Sequence, residues 1–168
     1  PIPTSNYGKS KFLAEKEILY RLPDSVDKYI LRSGVLFGST GGFKPITVLN
    51  KFLFEAHFFS KVQIFGSGNQ KRSFIHVDRL SNIVSEILSN TKIEPDIYNV
   101  SDYNLSMIEI TEVLKQIYEN IDIIFMNRDH EMKSIEIESK YDLNSTLKLA
   151  KPKEILFYLN QVKSKFSF

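Results

Sequence analysis

Apolar positions along this chain follow two rhythms, one helical and one extended, that alternate from end to end. Residues 5–22 carry Phe12, Leu13, Ile18 and Leu19 with Glu15, Lys16, Glu17 and Arg21 between them, and Pro23-Asp24 closes the predicted helix. The run over 29–37 is almost wholly apolar and predicts a buried strand, ended by Gly38 and a loop over 39–42. A second helix is predicted over 45–59, and a short alternating strand over 62–65 precedes Gly66-Ser67-Gly68-Asn69. Residues 72–77 read as extended, and Asp78 as the N-cap of a helix over 80–88. A strand over 97–100, a helix over 108–118 capped by Ser106, and a strand over 121–126 follow. Helical signals return at 143–149 and 153–164. Strands alternating with helices predict an α/β fold with a largely parallel sheet.

Composition narrows the function classes. The 168 residues form one domain or a large part of one, and 42% hydrophobic content is ample for a core. There is no cysteine, which excludes disulfides, a thiol nucleophile and a cysteine zinc site. The net charge of +2 is spread between interspersed acids and bases, so no nucleic-acid footprint is expected. No apolar run reaches the ~18 residues of a membrane span. No secretion signal opens the chain, and the reading is a soluble, cytoplasmic protein. His57 and His130 have no neighbours in sequence that suggest a metal site.

The chemistry sits near the start, in Tyr7-Gly8-Lys9-Ser10-Lys11. A tyrosine and a lysine four apart on a helix share one face. A free phenol titrates near ~10, and a neighbouring cation lowers that value by stabilising phenolate. Taken alone, the pattern is far more often a solvated helix face. Arg72, after Gly66-x-Gly68, is the second candidate, because a guanidinium donates bidentately and stays charged.

Four stretches in order carry a resemblance: Tyr7-Gly8-Lys9-Ser10-Lys11, the run 31–38 (Leu-Arg-Ser-Gly-Val-Leu-Phe-Gly), the run 64–78 (Ile-Phe-Gly-Ser-Gly-Asn-Gln-Lys-Arg-Ser-Phe-Ile-His-Val-Asp), and Tyr98-Asn99-Val100. Together they resemble the extended short-chain dehydrogenase/reductases, in the branch of nucleotide-sugar epimerases and dehydratases. The resemblance covers residues 1 to about 120, and the rest more loosely. It implies part of a doubly wound, Rossmann-like parallel sheet plus a small α/β substrate-binding domain. Residues 1–40 would close the dinucleotide-binding domain, and 41–168 would be mainly substrate-binding, with some segments returning to the Rossmann sheet.

The resemblance also implies roles. Tyr7 would exchange a proton with a sugar hydroxyl while NAD or NADP takes or gives a hydride at the same carbon. Lys11 would hold the nicotinamide ribose and keep the phenol acidic. Ser33, Gly34 and Val35 would pass under the nicotinamide, and Arg72 would clamp the diphosphate of a nucleotide-sugar. Val62, Gln63 and Phe65 would line the base. His76 would support a strand–helix junction. Two positions depart from the pattern: Val35 stands where many relatives carry a substrate-binding asparagine, and Ser39 follows Gly38 where proline is frequent.

A glycine-rich Gly-x-Gly-x-x-Gly turn is absent, and so are the strands before Tyr7 that the family carries. The expectation is therefore a C-terminal portion of an NAD(P)-dependent epimerase, dehydratase or 4-keto-sugar reductase, inactive by itself. Homodimerisation through the Tyr7–Lys11 helix is expected, with Phe12, Leu19 and Tyr20 on its face. Two alternatives stay open: a non-catalytic binding protein of the same fold, and an extended reductase acting on a carbonyl compound other than a sugar.

Overall fold

Helix α1 (Asn6–Arg21) starts where Ser5 can cap it: the Ser5 hydroxyl accepts the Gly8 amide at 3.0 Å. The computed structural model describes residues 3–39, 42–89, 93–139, 146–147 and 149–166. The remaining elements are β1 (Ile30–Ser33), β2 (Val35–Phe37), α2 (Val48–Phe59), β3 (Lys61–Phe65), β4 (Lys71–His76), α3 (Val77–Ser89), β5 (Ile97–Val100), β6 (Tyr103–Ser106), α4 (Met107–Ile117), β7 (Asp122–Met126) and α5 (Ile155–Lys163). The helix signals at 143–149 and the loop at 39–42 fall partly outside the described residues. No helix among the described residues is long and apolar enough to cross a membrane.

Three parallel pairings organise the chain: β1 with β5, β2 with β4, and β3 with β7. One antiparallel pairing joins β4 to β6. Successive residues of β4 face opposite ways. Phe74 enters a cluster with Phe37, Leu49, Leu53, Leu114 and Leu159, so α2, α4 and α5 cover that face. Ile75 enters a second cluster with Ile83, Ile87, Tyr98 and Val100, so α3 covers the other. A strand buried on both faces between helix layers is the doubly wound arrangement. Burying Phe74 and Ile75 contributes roughly 1.5–3 kcal/mol each.

The single strand expected over 29–37 is instead two, and it is only partly buried. The break is Gly34. A Cβ there would lie 2.8 Å from the Ser73 carbonyl oxygen, and the Gly34 amide donates to the Val100 carbonyl at 2.8 Å. Only a residue without a side chain lets the chain leave β5 and join β4 at this crossing. Strand β6 escapes the sequence reading because its four residues, Tyr-Asn-Leu-Ser, alternate too briefly to register. Helix α2 begins at Val48 rather than at 45.

Asp78 is not the cap of α3. It lies inside the first turn, and its amide donates to Nδ1 of His76 at 3.3 Å. The imidazole of His76 thus takes the capping place, packed flat on Tyr158 at 4.3 Å between centroids. Gly38 leaves room for it, since a Cβ there would meet Nε2 at 2.4 Å, and Gly38 sits at φ +105°. Burial holds His76 below its ordinary value near 6.5, with Lys165 acting the same way and Asp78 and Asp102 opposing. Burial, aided by Lys163, lowers His57 too. An unfolded chain therefore takes up these protons first as pH falls. Stability is expected to be complete above pH ~6.5 and to decline as the pH drops through the folded-state values. Melting temperatures between pH 8 and 5 check this: His76→Asn should flatten the decline, and an unchanged profile would remove His76 as its source.

Helix α4 follows the sequence closely. The Ser106 hydroxyl accepts the Glu109 amide at 3.1 Å, and the Ser106 amide donates to the Glu109 carboxylate at 2.7 Å, a closed capping box. Behind β4 and β6, Arg79 and Asp102 form a buried pair, Nε to Oδ2 at 3.4 Å and Nη2 to Oδ1 at 3.3 Å, with Nη1 donating to the Ala150 carbonyl at 2.6 Å.

Candidate functional site

Tyr7 and Lys11 lie one turn apart on α1, the ammonium 5.5 Å from the phenol ring centroid. Tyr7 is 74% exposed, so its hydroxyl is open to a reactant. The first turn is fixed by the Ser5 cap and by the Ser10 hydroxyl, which donates to the Tyr7 carbonyl at 2.8 Å. Helix α1 has no buried residue, and an ion pair ties it to β1. Arg32 of β1 grips Glu15 through Nε at 2.8 Å and Nη2 at 2.5 Å. The Arg32 guanidinium holds the Glu15 carboxyl below the usual carboxylate range. Arg32 immediately precedes Ser33, so this grip ties α1 to the strand that leads into Ser33-Gly34-Val35. Ser33 is exposed there, Gly34 is buried in the crossing, and Val35 is half-buried against the core.

The second constellation is a pocket of about 300 Å³ between α2, β3 and β4. It brings together Gln63, Phe65 and Arg72, three of the residues singled out in the sequence. Val62 is not among its lining. Strand alternation turns Val62 and Ile64 into the core and leaves Gln63 and Phe65 outward. Tyr7, Lys11 and Ser33-Gly34-Val35 do not line it either.

Arg72 is held in place before any ligand arrives. Its Nη1 donates to the Lys71 and Lys133 carbonyls, both at 2.7 Å. Lys133 belongs to a strap, residues 132–138, that runs along the edge of β4. The Lys71 amide donates to the Ser134 hydroxyl at 2.9 Å, the Ile135 amide to the Lys71 carbonyl at 3.0 Å, and the Ile137 amide to the Ser73 hydroxyl at 2.6 Å. With Nη1 fixed, the Nε and Nη2 edge of the guanidinium remains to meet an anion in the two-pronged geometry that suits phosphate.

Seven of the lining residues escaped the sequence reading, Ile46, Val48 and Phe52 as plain apolar positions and four others for reasons of their own. Lys51 is one lysine among many on a helix, and Met107 looks like an ordinary core methionine. Met132 arrives on the strap from a polar stretch with no periodicity. Gln70 sat inside the recognised motif without a role. It is buried, its Nε2 donates to the Phe65 carbonyl at 2.7 Å, and its Oε1 has no donor among the described residues. A second cavity of about 700 Å³ opens beside the first, and Ile46 lines both. It lies at the carboxyl end of β2, where Phe37 gives way to Gly38, and Asn50 braces that turn. The Asn50 carboxamide accepts the Gly38 amide at 3.1 Å and donates to the Gly38 and Lys44 carbonyls at 3.3 and 3.2 Å. Ligands of open α/β sheets bind outside such carboxyl ends.

Solved structures share this architecture. The chain superposes on an NAD dependent NDP-hexosamine 5,6-dehydratase, TunA, involved in tunicamycin biosynthesis, with TM-score 0.80 and 17% identity, covering 97% of this chain and 54% of that one. It superposes on the Helicobacter pylori ADP-L-glycero-D-manno-heptose-6-epimerase with TM-score 0.79 and 18% identity, over 97% and 51%. A Bacillus cereus UDP-glucuronic acid 4-epimerase, in complex with a fluorinated substrate analogue and NAD, gives TM-score 0.79 and 19% identity, over 98% and 53%. The chain thus spans about half the length of the structures it matches. No curated protein sequence matches it significantly. The model of the NAD dependent epimerase/dehydratase family matches residues 1–101. That stretch is more than half of the chain and holds both the Tyr7–Lys11 pair and the Arg72 strand, and the chain belongs to the NAD dependent epimerase/dehydratase family.

Proposed function

We propose that this chain provides the acid/base pair and the substrate pocket of an NAD- or NADP-dependent epimerase, dehydratase or 4-keto-sugar reductase acting on a nucleotide-sugar. The observation that carries the reading is Arg72, fixed by two carbonyls in a pocket with Gln63 and Phe65. Its positive charge is undiminished by any carboxylate in the lining. Such a pocket suits the diphosphate and base of a nucleotide-sugar.

Tyr7 serves as the proton carrier: its phenolate oxygen takes the proton of a sugar hydroxyl as that carbon becomes a carbonyl, and returns it in the reverse sense. The nicotinamide, when bound, accepts or donates the hydride at that carbon. Lys11 stands beside the phenol ring and, as in the family, holds the cofactor ribose. The exposure of the pair and its fixed first turn fit a cofactor that stacks over this face, next to Ser33, Gly34 and Val35. A homodimer through α1 is part of the same reading: of the face read from the sequence, Tyr20 is exposed and Phe12 and Leu19 are half-buried, with Leu13 and Ile18 exposed beside them.

The test is Arg72→Ala, read by calorimetric titration with UDP, dTDP, GDP and ADP. The best of these ligands should bind about 10- to 100-fold more weakly, the loss of a charge-assisted hydrogen-bonded pair. Arg72→Lys should recover part of that loss. Indifference of every diphosphate to Arg72→Ala would sink the reading and favour a reductase acting on a smaller carbonyl compound.

A further inference from the structure

Each residue from Gln70 to Ser73 holds one part of the strap. Gln70 Nε2 meets the Met132 sulfur at 3.7 Å, and the Lys71 amide donates to the Ser134 hydroxyl at 2.9 Å. Nη1 of Arg72 donates to the Lys133 carbonyl at 2.7 Å, and the Ser73 hydroxyl accepts the Ile137 amide at 2.6 Å. Strand β2 pairs with Phe74–His76 on one edge of β4, and β6 pairs on the other. The strap takes up the edge that β2 leaves, with Ile135 bridged in parallel to Arg72. Among the described residues, only the bond from the Ile135 amide to the Lys71 carbonyl joins strap to β4 backbone to backbone. A segment fastened mainly through side chains is released more easily than a strand in a full ladder, because each such bond contributes little net.

We propose that Ser134 is a positioning residue for Arg72, and that docking of the strap is coupled to binding of a diphosphate in the pocket. The inference rests on the reading of this pocket as a nucleotide-sugar site. Ser134 does not line the pocket. The carbonyl of Lys133, however, belongs to the rigid peptide unit that joins Lys133 to Ser134. Fixing the Ser134 hydroxyl on the Lys71 amide therefore fixes the plane of the carbonyl that steadies Nη1. A guanidinium already held offers its Nε and Nη2 edge without being ordered by the ligand, and binding is tighter by the ordering it avoids. Such coupling is reciprocal: a strap that improves the grip on an anion is itself held more firmly once the anion is bound.

The experiment titrates the full chain with UDP, dTDP, GDP and ADP and follows the one that binds best, in wild type, Ser134→Ala, Ser134→Thr, Arg72→Ala and the double variant Arg72→Ala with Ser134→Ala. Ser134→Ala should weaken binding about 3- to 10-fold, the range of one lost hydrogen bond. Ser134→Thr, which keeps the hydroxyl, should restore it. In the Arg72→Ala background Ser134→Ala should have no further effect, because the serine acts only through the arginine. Hydrogen exchange supplies a second readout: the diphosphate should slow exchange of the Ile135 and Ile137 amides in wild type but not in Arg72→Ala. Wild-type affinity in Ser134→Ala overturns the proposal. So does an equal loss in both backgrounds, which would make the serine's contribution independent of Arg72. In either case a loss of affinity in Arg72→Ala leaves the pocket reading standing. Indifference to Arg72→Ala, or failure of every diphosphate to bind wild type, overturns the pocket reading and this inference together.

Discussion

Replacing Tyr7 with phenylalanine, in a full-length context able to bind the dinucleotide, is expected to lower kcat by about 10²- to 10⁴-fold. The substitution removes one oxygen and leaves the ring. That ring is exposed on a helix with no buried residue, so the fold has nothing to lose from the change. The Arg72 pocket excludes Tyr7, and affinity for a nucleoside diphosphate should stay within about twofold. A fall in kcat with binding retained marks the loss of a group that acts in the transition state. Turnover undiminished in Tyr7→Phe would remove the phenol from the mechanism. Diphosphate binding retained in a protein with no turnover even in wild type would instead favour the non-catalytic alternative.

The second large effect is on stability. Asp102→Ala is expected to destabilise the chain by about 3–5 kcal/mol, because it takes a buried carboxylate away from a buried guanidinium. The Arg79 and Asp102 side chains are 8% and 3% exposed, so water cannot take the place of the lost partner. Its hydrogen bond to the Ala150 carbonyl carries no charge to balance the guanidinium. For a chain of this size such a loss lowers the melting temperature by roughly 10 °C or more. Urea unfolding should show a lower midpoint with an unchanged slope. The double substitution Arg79→Met with Asp102→Leu should recover much of the loss, since the pair's absence costs less than its breakage. A single variant as stable as wild type would contradict the dryness of this site.

The parts of the fold that were legible in the sequence are those whose causes are local. Ser5 before α1, and Ser106 with Glu109 before α4, announce their helices within four residues. The family motifs located the Tyr7–Lys11 turn and the Arg72 strand, and the doubly wound architecture follows from them. The features that stayed hidden have distant causes. Gly34 breaks a strand because the Ser73 backbone, 39 positions on, presses against it. His76 rather than Asp78 serves α3 because Tyr158 and Gly38 shape a slot for the imidazole. Val62 and Gln63 are neighbours in sequence, and only the register of β3 against α2 and β7 decides which one meets the pocket. Lys51 and Met132 enter the lining from segments about 80 residues apart, which no motif joins.

The strap's hold on Arg72 has a consequence for the order of events in folding. The carbonyl of Lys133 lies 61 positions from the guanidinium it steadies. Closing so long a loop is slow compared with winding α2 or pairing neighbouring segments. The pairing of β3 with β7 spans the same 61 positions, so the floor of the pocket and the seat of its arginine await the same late segments. The anion seat becomes rigid only when the late part of the chain is laid along β4. On the ribosome, this protein would acquire its grip together with its shape.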